Sequence, residues 1–151
     1  MKILFKDKEY QVNEKIKISK LLENEIKENE HSVVGAKFNN EYHNLDFEIE
    51  EDGTLELIDI SQKEGMKIYR RTLVYTMGKA FEEIYPTHKV QVNYQLDNAM
   101  YCTTENLEIT DEFINNIKSR MTEIINENLK IDKIELSRSG KILREKSYIK
   151  R

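Results

Sequence analysis

Arg70, Arg71, Tyr75 and Lys79 carry the most suggestive chemistry in this chain. They fall in Tyr69-Arg70-Arg71-Thr72-Leu73-Val74-Tyr75-Thr76-Met77-Gly78-Lys79-Ala80-Phe81-Glu82-Glu83-Ile84-Tyr85-Pro86, which reads as a helix stopped by a proline that cannot continue the hydrogen-bond ladder. On such a helix Arg71 and Tyr75, four apart, share a face, and Lys79 follows one turn later. Guanidinium, phenol and ammonium in a row suit a phosphate or carboxylate ligand. The same cations are equally suited to salt bridges with the acidic stretch Glu50, Glu51 and Asp52, and the sequence leaves both readings open. No catalytic residue is assigned among them. A guanidinium keeps its charge and is neither a metal ligand nor a base near neutral pH.

Other chemistry fails on spacing. His31, His43 and His88 are scattered singly, and His88 with Cys102 makes a poor zinc pair, since zinc usually takes four N/S ligands at short intervals. No metal is expected. Gly140-Lys141 is the nearest approach to a phosphate-binding loop, but Glu135 stands where the earlier glycine belongs and Ile142 where a hydroxyl is needed. Tyr94 and Tyr101 could stack bases, although cross-strand core pairing is the commoner use of such residues.

Composition sets outer limits. At 151 residues, 38% apolar and 34% charged, the chain is polar for a globular protein, yet its apolar residues are periodic, so one good core or two small ones are expected. One cysteine excludes an internal disulfide. No run approaches the roughly 18 apolar residues of a membrane span, and the N-terminus lacks a signal-peptide core. A cytoplasmic location with no membrane partner is expected. Residues 1–61 hold 8 Lys/Arg against 15 Asp/Glu, whereas residues 62–151 hold 16 against 13. From Arg138 onward the end is strongly basic, which suits phosphate, RNA or an acidic partner surface and equally a solvated tail.

The positioning elements follow from periodicity. Lys2 to Lys6 and Tyr10 to Val12 read as strands around Asp7-Lys8-Glu9. Ser19 is placed to cap a helix burying Leu21, Leu22 and Ile26. Val33 to Phe38 is a strand, Asn39-Asn40 a turn that tolerates positive φ, and Leu55 to Ile58 a final strand. Beyond Gly65, the helix to Ile84 is expected to bury Tyr69, Leu73, Met77, Ala80 and Ile84. Val90, Val92 and Tyr94 alternate as a strand that Asp97-Asn98 turns into Met100-Tyr101-Cys102. Thr110 caps a helix with Phe113, Ile114, Ile117, Met121, Ile124 and Ile125 on its apolar side, and Ile131, Ile134 and Leu136 belong to a further strand. The fold class is α+β: two helices on one face of a small, largely antiparallel sheet, preceded by a β-grasp unit.

Residues 1–62 resemble the TGS domain, the ubiquitin-like module of threonyl-tRNA synthetases, certain GTPases and stringent-response enzymes, through Val34-Gly35-Ala36-Lys37-Phe38-Asn39, Asn44-Leu45, Leu57-Ile58 and Gly65. Residues 63–151 resemble the editing module of threonyl- and alanyl-tRNA synthetases. The likeness runs through the leading helix, Tyr85-Pro86, Met100-Tyr101-Cys102, Ile117-Lys118-x-Arg120-Met121 and Glu135-Leu136-Ser137-Arg138. In that family the helix carries His-Ser-x-x-His, where Arg71, Thr72 and Tyr75 stand here, and the later Cys-x-x-x-His has no counterpart because no histidine follows His88. Phenols ordinarily titrate near pH 10, roughly, and replace imidazole poorly. The pair of modules, with Tyr69-Arg70-Arg71-Thr72-Leu73, is also similar to the N-terminal region of a bacterial uridine kinase/phosphoribulokinase-like family. That resemblance implies a regulatory or ligand-binding region whose partner is a P-loop kinase domain beyond Arg151, using Mg-ATP, with a nucleotide, anion or RNA as further ligand. The alternative is a TGS-containing RNA-binding or synthetase-related module without editing activity.

Overall fold

The computed structural model describes residues 1–96, 99–129, 131, 133–136 and 142–146. Asp97-Asn98, Ser137-Arg138 and Gly140-Lys141, all singled out above, lie outside the described residues, as does the basic run 147–151. The chain divides into two units, Met1–Leu73 and Val74–Arg151, and the division falls within one long helix.

Alternation drives the first unit. In β1 (Lys2–Phe5) Ile3 and Phe5 are buried while Lys2 and Leu4 are exposed. β1 pairs antiparallel with β2 (Lys8–Gln11) across the two-residue turn Lys6-Asp7, where Lys6 takes a φ of 52°. The short strand β3 (Ile16–Lys17) pairs with β6 (Glu48–Ile49). Between them come helices α1 (Ile18–Leu21) and α2 (Glu23–Lys27), strand β4 (Val33–Phe38) and strand β5 (Glu41–His43). Strand β7 (Gly53–Asp59) then runs parallel to β1 and antiparallel to β4, giving the order β2-β1-β7-β4-β5. A parallel central pair requires a long crossover, and α1 and α2 lie within it. Ile18 and Leu22 pack with Ile3, Phe5, Ala36, Phe38, Ile49 and Leu55 in one apolar cluster, which completes the β-grasp architecture. Asn39 and Asn40, with φ of 48° and 67°, supply the left-handed turn from β4 to β5.

Ser19 does not cap α1. The helix begins two residues earlier, at Ile18 after Lys17, without a side-chain cap. Its first N–H groups are satisfied by the distant segment between β5 and β6 instead: Ile18 N donates to Phe47 O at 3.1 Å and Ser19 N to Leu45 O at 2.8 Å.

The helix α3 (Lys63–Ile84) starts from a tightly bonded corner. Asp59 Oδ1 accepts from Ser61 N at 2.9 Å and from Ser61 Oγ at 2.5 Å, and Asp59 Oδ2 accepts from Asn29 Nδ2 at 3.0 Å. Gly65 is buried so close to this corner that a Cβ there would lie 1.8 Å from the Asp59 carbonyl oxygen.

In the second unit α3 continues through the buried Thr76, Ala80 and Phe81, whereas Tyr69 and Leu73, expected on the buried stripe, are 46% and 40% exposed. Its partner is α4 (Asp111–Asn126), capped as expected by Thr110, whose Oγ1 accepts from Phe113 N at 3.1 Å, with Asp111 and Glu112 in the first turn. The two helices meet through aromatic rings: Phe113 lies 5.1 Å from Tyr85, stacked, and 6.2 Å from Phe81, edge-on. Ile117 and Ile124 are buried, while Ile114 and Ile125 on the same helix are exposed. Beside the rings, Arg120 donates to Glu83 at 2.7 Å, to Glu123 at 2.8 Å and to Glu127 at 3.0 Å, and Lys79 reaches Glu83 at 2.5 Å. Two antiparallel hairpins complete the unit, β8 (Val90–Leu96) with β9 (Ala99–Thr104) and β10 (Lys133–Leu136) with β11 (Ile142–Lys146).

Two glycines on α3 should answer oppositely to alanine. Gly65→Ala forces backbone apart and is expected to destabilise by about 1–3 kcal/mol or more. Gly78→Ala, where nothing lies within 4 Å of the added carbon, should stabilise by about 0.5–1 kcal/mol. Urea midpoints measure both, and a parental midpoint for Gly65→Ala would contradict the close approach. Acid offers a second check. Lys79 first and then Arg120 hold the Glu83 carboxyl below its ordinary range. A depressed folded pKa contributes stability that is present above the ordinary value near 4.5 and lost as pH falls through the lower folded one. Melting temperature between pH 5 and 3, roughly the window of carboxylate titration, should therefore fall less in Glu83→Gln than in the parent. Equal slopes would mean the network contributes nothing.

Candidate functional site

The four sequence-selected residues all lie on α3, with Arg70 and Arg71 in the first unit and Tyr75 and Lys79 in the second. Arg71 is exposed and Tyr75 is 53% exposed, so both are open to solvent. Lys79 is engaged: its ammonium is 2.5 Å from Glu83, one turn along the same helix. Glu50, offered above as a partner for the α3 cations, pairs instead with Lys15, and Asp52 accepts the Lys2 backbone N–H at 2.9 Å. Among the described residues no ion pair involves Arg71.

This part of α3 offers a charged donor but no group able to move a proton near neutral pH. The histidines are elsewhere and apart. His43 stacks on Phe47 at 3.7 Å, His88 sits against Thr87 Oγ1 at 3.1 Å with its ring edge-on to Tyr85, and the exposed His31 receives a hydrogen bond at its carbonyl oxygen from Asn29. Among the described residues no three His, Cys, Asp or Glu side chains come together in a group able to hold a metal. Cys102 is half-buried, and that burial pushes its thiol pKa up, away from the nucleophilic thiolate.

Two concavities in the first unit involve none of the four residues. One, of about 370 Å³, is bordered by Lys6, Lys8, Glu25 and Asn29, and another, of about 340 Å³, by Lys37, Asn40, Thr54 and Glu56. Around the first, Glu25 is already engaged. Glu25 Oε1 accepts from Tyr10 Oη at 2.5 Å and from Lys8 at 3.3 Å, and the Tyr10 phenol is pushed up to about 12 by its bond to Glu25.

The hairpin of β8 and β9 rearranges the tyrosines. Val92 stands opposite Cys102, but the register slips before Tyr94, which stands opposite Tyr101. Since 101 and 102 face opposite ways on β9, the bulge turns Tyr94 off the Val92 face. The two phenol rings stack at 4.9 Å and 22°, and both remain exposed, so they form a surface pair rather than a core pair. Sequence reasoning missed Arg120 as a hub. Its partners Glu123 and Glu127 were readable at helical spacing, whereas Glu83 is 37 residues away and needed the fold.

No family model matches the chain. Over 111 residues, 73% of its length, it is 34% identical to the threonine–tRNA ligase of Clostridium tetani. It is 33% identical over 118 residues, 76% of its length, to that of Caldanaerobacter subterraneus subsp. tengcongensis, and 31% identical over 110 residues, 72% of its length, to that of Fusobacterium nucleatum. The matched segments make up 17%, 18% and 18% of these ligases, so the chain spans less than a fifth of the curated relatives it matches. This likeness supports the synthetase-related reading of both modules and the α+β fold class, and lends no support to the uridine kinase-like parent. The homologues of this chain are N-terminal regions of threonyl-tRNA synthetases.

Proposed function

We propose that this chain is a synthetase-related RNA-binding module that does not hydrolyse aminoacyl esters. The observation that carries the reading is the likeness to threonine–tRNA ligases over 111 residues, combined with Arg71, Thr72 and Tyr75 at the positions of the editing family's His-Ser-x-x-His. Ester hydrolysis needs a water deprotonated near neutral pH, by imidazole or on a metal. Arg71 and Tyr75 offer a fixed positive charge and a hydrogen-bonding hydroxyl instead. Those groups suit holding a terminal phosphate or carboxylate, with Arg71 the principal contact, because Lys79 already serves Glu83. The ligand class follows from the relatives, whose named substrate is tRNA.

Two assays test this. The full chain incubated with misacylated threonine tRNA should show no deacylation above the buffer rate, and hydrolysis at enzymatic rates would refute the non-hydrolytic part. Fluorescence anisotropy with labelled tRNA should show binding that weakens steeply with salt. Arg71→Ala should lower affinity several-fold and reduce the log–log salt slope by about 0.7–0.9, the loss of one phosphate contact. If Arg71→Ala binds as the parent does, Arg71 is not a contact.

A further inference from the structure

Charge runs through almost every strand of this chain, and β8 and β9 are the exceptions. The seven residues of β8 and the six of β9 include no charged side chain, in a sequence that is 34% charged. Every other strand among the described residues carries at least one Lys, Arg, Asp or Glu. Neither β8 nor β9 contains proline or glycine, so both keep their full set of backbone donors and a strong strand preference. Among the described residues the two strands pair only with each other, which leaves an open outer edge on each. Apolar side chains stay exposed on both faces. Val92 and Met100 are 37% and 39% exposed on the side of Cys102, and the Tyr94–Tyr101 stack lies on the other side. A two-stranded hairpin is marginal in water and gains from further strands.

The two edges differ. β8 carries the extra residue Asn93 between Val92 and Tyr94, and the Asn93 amide donates to Thr103 Oγ1 at 2.9 Å. Such a bulge interrupts the ladder and bends the strand, which blunts β8 as a template. β9 has no extra residue, and Ala99–Thr104 is a regular run. Charge then narrows the partner. The chain carries a formal charge of −4 at pH 7, so two copies repel each other over most of their surfaces. An uncharged strand is where they can approach, and twofold antiparallel pairing there brings no like charges together.

We propose that β9 is a self-association edge, at which the β9 strands of two copies pair antiparallel and join two hairpins into one sheet ordered β8-β9-β9-β8. A foreign peptide could supply the same backbone groups, but β9 fits a partner strand that is uncharged, extended and of its own length, and a second β9 has all three properties. The contact is isologous and closes at two copies, and the bulged β8 edges left outside do not extend it. Met100 and Tyr101 gain cross-strand neighbours in the pair. This association does not depend on any ligand at Arg71.

Sedimentation velocity of the full chain over a wide range of concentrations should show monomer passing to dimer, with no larger species. The dimer should not weaken as salt rises, because an uncharged contact offers nothing to screen. Tyr101→Lys and Tyr101→Glu should each weaken it about tenfold or more by setting like charges near the twofold axis, and an equimolar mixture of the two should restore it. Cys102 is the single cysteine, so a short bifunctional thiol reagent should link two copies of the parent and not of Tyr101→Lys. A parent that stays monomeric throughout would overturn the choice of a second copy. Parental dimerisation in both single variants would place the contact on another surface, and a mixture that stays monomeric would show a damaged hairpin rather than a charge effect; either result overturns the β9 pairing.

Discussion

The start of α3 depends on one atom that is missing. Gly65 passes so near the Asp59 carbonyl that no side chain of any kind fits between them. That approach lets the helix begin after a turn of only three residues, Ile60 to Gln62, beyond β7. Asp59 secures the corner from the other side, with its carboxylate spread over Ser61 and Asn29. The same carboxyl is held below its ordinary range chiefly by the Ser61 and Asn29 hydrogen bonds, so it stays an acceptor well into mild acid. Arg70 and Arg71, in the same unit, take their position along the helix from this corner.

Local rules predicted local features well. Asn39-Asn40 and Thr110 behaved as their side chains and backbone preferences dictate, because a left-handed turn and a helix cap need no distant partner. Ser19 shows the limit of that logic. Its helix found backbone acceptors in Leu45 and Phe47, supplied by a segment more than twenty residues later, which no local side-chain rule anticipates. The α3 stripe failed for a related reason. Periodicity assumes one partner surface for a whole helix, and this 22-residue helix is divided between two units, leaving Tyr69 and Leu73 exposed near the division. Tyr94 was misplaced by a single slipped residue, which strict alternation cannot show.

The candidate chemistry was legible in kind more than in arrangement. Residue type alone separated a charge-bearing helix from a proton-transferring one, since no folding can make guanidinium a neutral base. What the sequence did not show was competition for the cations. Lys79 and Arg120 converge on Glu83, so these two cations are engaged within the helix pair, and the exposed Arg71 is a less encumbered donor than Lys79. The likeness to tRNA ligases agrees with the scaffold.

The strand order of the first unit bears on how it meets other chains. Its five-stranded sheet ends in β2 on one side and β5 on the other. β5 is three residues long, too short to template a register, and β2 carries the ion-paired Lys8 and Glu9. Neither border invites an extended peptide to add itself as a sixth strand. A companion for this unit therefore has to recognise side chains on its faces or loops, which makes its specificity a matter of surface chemistry and spares it from sheet-to-sheet polymerisation at high concentration.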